Sequence, residues 1–194
     1  MNISTRSAVA VAAVACSLML VAASARAQNG GKEHFTAFAV DVSNTAPRGS
    51  ATTTVDIVIN RYSSDADRDK LLEALDQGQD ALLKALQSLP VVGYLTTPGS
   101  LRYDVHFARQ HPAAEGGRYI VVATDRYIPM WEAVSRPRSM DYPFTLIQLQ
   151  LNKNDEGVGK ASIATKITKN DNYIELENFS SEPVRLNNVH KVKD

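Results

Sequence analysis

The chain has 194 residues, is 44% hydrophobic, and carries 21 basic and 21 acidic side chains, a formal net charge of zero. That length can bury a core without staples, and the single cysteine, Cys16, excludes an internal disulfide framework. Lys and Arg are scattered among acids, which argues against the concentrated basic face that nucleic acid or an anionic membrane surface requires.

The first 27 residues read as a secretory signal. Arg6 supplies the positive start, Ala8 to Ala22 form an apolar run, and Ala25-Arg26-Ala27 offers the small-x-small pattern of a cleavage site before Gln28. The run is short for a membrane span, which needs about 20 apolar residues. Cys16 lacks the polar tether expected after a lipidated cysteine, since Ser17-Leu18-Met19-Leu20-Val21 follows it. Cleavage removes two of the 21 basic residues and none of the 21 acidic ones, so the expected mature chain carries −2 and no thiol. The expectation is an exported protein, periplasmic or secreted, with residues 28–194 as one β-rich domain.

Phe35 to Val42 and Thr52 to Arg61 read as strands around a loop containing Pro47 and Gly49. In the second, Thr53, Val55, Ile57 and Ile59 alternate with polar residues, so one face is core and the other wet. Ser63-Ser64-Asp65 supplies N-cap chemistry for a helical segment over residues 65–89. Its apolar stripe of Leu72, Leu75, Leu82, Leu86 and Leu89, with Leu71 and Leu83 beside it, is interrupted by Gln79. Gly78 suits a left-handed cap, which predicts two short helices split there, the second ended by Pro90.

Val91 to Leu95 reads as a short strand and Thr96-Thr97-Pro98-Gly99 as a turn. Strands are then predicted at Leu101–Gln110, Arg118–Asp125, Phe144–Asn152, Lys160–Lys169, Asn172–Phe179 and Val184–His190, joined by compact polar connectors. Between Arg126 and Tyr142 three prolines break the pattern, and Met130 to Ser135 has room for one helical turn. The fold predicted is α+β: about eight strands in a mainly antiparallel sandwich or barrel-like sheet, with the helical segment packed on it or closing one end.

Asp104 and His106 are the best polar pair for catalysis. Period-two alternation sets them on one strand face with Arg102 and Gln110, opposite Tyr103, Val105 and Phe107. Two donors make an incomplete metal site, and a solvated sheet face explains them as well. Ser100 lacks the G-x-S-x-G elbow of a hydrolase nucleophile and reads as a turn residue. His34, His111 and His190 show no zinc spacing. The run from Asn152 resembles a calcium loop but has Ile163 where a bidentate carboxylate belongs, and Gly157-Val158-Gly159-Lys160-Ala161 lacks the frame of a phosphate loop. Both are read as one hairpin turn. No cofactor motif is present.

The ligand-binding candidates are Tyr127, Met130 and Trp131, with Arg136 and Arg138 beside them. They line or cover a pocket at a sheet edge, or else the apolar ones plug the core and the arginines pair with neighbouring acids such as Asp141.

Val55 to Tyr62, Asp80 to Leu86, Val121-Ala123-Thr124-Asp125-Arg126, Arg136-Pro137-Arg138 and Asp141 to Leu146 resemble a group of small secreted bacterial proteins of unknown function. That resemblance covers most of the mature chain and implies a coherent exported domain; it transfers no catalytic residue. The leading expectation is therefore a non-enzymatic binding or interaction domain, its partner a small apolar ligand or an envelope protein. The alternative is a hydrolase or metal-dependent enzyme built on Asp104 and His106.

Overall fold

A computed structural model describes residues 31–41, 51–126, 144–163, 165–170, 173–177 and 183–193. The leader expected over residues 1–27 and the candidates Tyr127, Met130, Trp131, Arg136 and Arg138 lie outside the described residues. Among those described, the fold is a nine-stranded antiparallel sheet, nearly closed into a barrel, with two helices and a separate hairpin. The strands are β1 (Glu33–Asp41), β2 (Ala51–Ile59), β3 (Gly93–Thr96), β4 (Tyr103–Val105), β5 (Phe107–Pro112), β6 (Arg118–Thr124), β7 (Thr145–Leu151), β8 (Glu156–Ile163) and β11 (Val184–Lys191). The helices are α1 (Asp65–Asp76) and α2 (Gln79–Ser88), and β9 (Lys166–Asn170) pairs with β10 (Tyr173–Glu177).

Sheet order runs β4-β3-β2-β1-β11-β8-β7-β6-β5. Its two outermost strands are consecutive in the chain and separated by His106 alone, so one path supplies both edges. The predicted strand Leu101–Gln110 is thus two strands, and the alternation slips at the junction. Val105 and Ala108, three residues apart, both enter the barrel core, while Phe107 packs outside with the helices. Phe107 therefore does not share the face of Val105, and Gln110 reaches the interior end of the barrel to accept from Arg118 at 2.7 Å. The β5 edge that β3 leaves open is taken by Ser63, whose N–H donates to the Ala108 carbonyl (2.7 Å) and whose Oγ accepts from the Ala108 N–H (3.1 Å).

The interior is filled by Phe35, Val55, Ile57, Ile59, Leu95, Ile120, Ile147, Leu149 and Leu186, each at most 1% exposed. Against Ile147, Leu149 and Leu151 of β7, β8 sets Ala161, Gly159 and Gly157. A Cβ on Gly159 would meet the Gln148 carbonyl oxygen at 2.7 Å and Leu149 Cδ2 at 2.8 Å. These glycines are strand residues where backbones approach closely. The turn is therefore shorter than predicted: Asn152 bonds to Glu156 across it, and β8 begins at Glu156 rather than at Lys160.

Ser64 caps α1 in a reciprocal capping box with Asp67, as the Ser-rich start predicts. Gly78, at φ 109, is the N-cap of α2 rather than a C-cap of α1, which falls on Gln77. Leu75, Leu82, Leu86 and Leu89 pack with Ala123, Phe144 and Ile167 into a second core outside the barrel. The interruption at Gln79 has a purpose. Its side-chain amide donates to the Ile167 carbonyl (2.5 Å) and accepts from the Ile167 N–H (3.2 Å), clamping β9 to the helices.

Candidate functional site

Asp104 and His106 are not brought to a common site. Asp104 is exposed and lies 3.6 Å from Arg102 Nε, with that guanidinium stacked 3.8 Å over the Tyr94 ring. His106 is largely buried at the β4–β5 corner, its Nδ1 3.0 Å from the Leu89 carbonyl and its Nε2 3.7 Å from Asp125. Among the described residues no three His, Cys, Asp or Glu side chains are grouped to hold a metal ion. Ser100 accepts from the Thr97 N–H (3.1 Å) and donates to the Thr97 carbonyl (2.9 Å), closing a turn.

The strongest electrostatic feature is one that local sequence motifs do not announce. Glu33 opens β1 at one end of the barrel, 7% exposed. Arg118 at the start of β6 donates to both its oxygens (2.9 and 3.1 Å), Lys191 at the end of β11 donates to Oε1 (2.7 Å), and Tyr62 donates to Oε2 (2.5 Å). Arg118 also bonds Asp155, in the β7–β8 turn, at 2.8 Å. Burial pushes the Glu33 carboxyl up, but the bonds from Arg118, Lys191 and Tyr62 outweigh it and hold the group down at about 2. Burial, then the bond to Glu33, raises the Tyr62 phenol above its ordinary value. Every charge here faces an opposite one, so the cluster joins strand ends and offers no group poised for proton transfer.

The outer wall of the barrel divides in two. At one end the helices cover it, over Phe107, Ala123 and Leu146. Towards the other end the outward positions of β6, β7 and β8 carry exposed Tyr119, Gln150, Val158 and Lys160 beside half-buried Val121 and Gln148. Tyr119 pairs with Gln150 and Gln150 with Val158 in one cross-strand row; Val121 pairs with Gln148 and Gln148 with Lys160 in the next. Tyr119 is 43% and Val158 52% exposed. These residues line a shallow groove of about 440 Å³. Sequence alternation marks a wet face on β7 alone, Leu146-Ile147-Gln148-Leu149-Gln150 turning polar where the helices stop; β6 around Val121 and β8 around Val158 show no such alternation, and nothing local shows that three strands join into one surface.

The search of protein-family models, curated proteins and solved structures finds no match to this chain.

Proposed function

We propose that the chain is an exported, non-enzymatic interaction domain that recognises its partner through the outer wall of β6, β7 and β8. The observation that carries the reading is a contrast within one barrel. The described interior positions are filled with apolar side chains and the charges at the Glu33 end satisfy one another, whereas the wall presents exposed Tyr119 and Val158 among polar groups. Exposed apolar side chains gathered on one face are a feature of recognition surfaces. Export rests on the leader pattern of residues 1–27. The enzyme alternative draws no support from Asp104 and His106, which engage different partners.

A photo-cross-linking side chain placed at Val158 tests the reading in the host cell, with the same group at exposed Lys84 of α2 as control. A discrete adduct from position 158 alone supports it. Equal labelling from both positions, or none from either, overturns it. Recovery of the exported form beginning at Gln28 tests the leader assignment in the same cells.

A further inference from the structure

We infer that the groove on β6, β7 and β8 binds an anionic sugar chain, a uronic-acid oligosaccharide; this rests on the reading of that wall as the recognition face. Neighbouring strands lie about 4.8 Å apart, so each cross-strand row of three residues is roughly 10 Å wide, and the rows are about 7 Å apart along the strands. That is the footprint of one or two pyranose rings.

The chemistry of the lining is specific. The Tyr119 phenol, the Gln148 and Gln150 amides and the Lys160 ammonium have no side-chain partner among the described residues, although ion pairs are common elsewhere on this surface, as between His34 and Asp56 or Lys169 and Asp76. An aromatic ring offers a flat apolar face with a polar tip, suited to the C–H face of a sugar. An amide both donates and accepts, as a sugar hydroxyl does, so two amides match a hydroxyl-rich ligand. Lys160 adds a positive charge to the groove, with exposed Arg185 of β11 as its cross-strand neighbour; none of the six outward positions carries a carboxylate, Glu156 lying one outward step beyond Val158. The Lys160 ammonium within the groove matches one carboxylate in a sugar repeat. Val121 and Val158, at opposite corners of the two rows, add apolar contact.

The test is a backbone-amide NMR titration of the mature protein with tetragalacturonate, its methyl-esterified and therefore uncharged counterpart, and polyglutamate as a polyanion without sugar rings. Saturable shifts confined to β6, β7 and β8 are expected with tetragalacturonate. Affinity for the ester should be roughly tenfold weaker, the loss of one charge-assisted contact. Tyr119→Ala should abolish binding, and Lys160→Gln should reduce affinity for the acid to that for the ester. Both positions are exposed, and an unchanged thermal midpoint verifies each fold. No shift at millimolar sugar, an equal response to polyglutamate, or indifference to Tyr119→Ala overturns the inference. A protein adduct at Val158 without any sugar response would overturn it while leaving the outer-wall reading intact; silence in both experiments would remove both.

Discussion

Tyr62 donates a 2.5 Å hydrogen bond to Glu33, joining the chain just past β2 to the first residue of β1 at the end of the barrel where Arg118 and Lys191 also converge. Removing the carboxylate leaves Arg118 and Lys191 with Asp155 as their remaining carboxylate and the Tyr62 phenol without its acceptor. Glu33→Gln is therefore expected to lower unfolding free energy by about 3 kcal/mol. Tyr62→Phe loses one charge-assisted bond and should cost roughly 2 kcal/mol. Urea unfolding of both single variants and the double variant measures the coupling; strictly additive losses would mean that the two groups do not interact.

The same cluster sets the acid limb of stability. Glu33 has its folded value depressed from 4.5 to about 2. Its contribution is fully present above the unfolded value, falls as pH drops below about 4.5, and is lost once pH passes through about 2. The depression corresponds to roughly 3 kcal/mol. Asp65, held below the usual carboxylate range by its bond from Arg109, acts in the same direction but is fully exposed. Unfolding free energy measured between pH 5 and pH 2 should decline less steeply in Glu33→Gln than in the parent. An identical slope in the two proteins would show that other carboxylates control acid unfolding.

Strand identity was legible wherever one face is core, because Val55, Ile57 and Ile59 or Ile147, Leu149 and Leu151 impose period two. The break at His106 was not. Tyr103, Val105 and Phe107 keep the alternation of a continuous strand, and only barrel closure, which moves β4 onto β3 and β5 onto β6, forces the slip. Gln79 was visible as an anomaly in the helix stripe, but its partner Ile167 is 88 residues away. The Glu33 cluster was illegible for the same reason, since Glu33 and Lys191 are 158 residues apart and meet only when β1 and β11 pair. The outer wall is readable as polar only on β7, at Gln148 and Gln150, and its assembly into a groove depends on register.

Gly159 tests the small-against-large packing of β8 on β7. Gly159→Val introduces a Cβ into the Gln148 carbonyl and Leu149 and should destabilise the barrel by at least about 2 kcal/mol, or prevent folding. Val158→Thr, one residue away on the outer face, is expected to stay within about 0.5 kcal/mol of the parent. Thermal melts of the pair decide it, and equal tolerance at both positions would contradict the inward placement of Gly159.

Gln79→Ala removes both hydrogen bonds between α2 and Ile167 of β9. The expected loss is about 2 kcal/mol, but the more telling readout is local. Amides of β9 and β10 should exchange with solvent markedly faster while those of β1, β2 and β11 are unchanged. Uniform acceleration across the protein would mean that the hairpin is an integral part of the barrel rather than a strap held by Gln79, by Lys169 on Asp76 and by Ile167 packed among the helix leucines.

Thr145 presents the opposite case, a polar atom in surplus. It is 0% exposed, and its hydroxyl has no hydrogen-bond partner among the described residues at the point where β7 enters the barrel opposite Thr124. A buried unsatisfied hydroxyl costs free energy, whereas an apolar group of the same shape does not, so Thr145→Val should stabilise the fold by about 1 kcal/mol. Equilibrium unfolding supplies the sign. A stabilised variant identifies the unpaired Thr145 hydroxyl as an energetic defect, in contrast to Thr124 opposite, whose hydroxyl bonds Arg126. A variant destabilised by a similar amount would instead require a buried water on that hydroxyl, bonded as such waters usually are to two or more further polar groups.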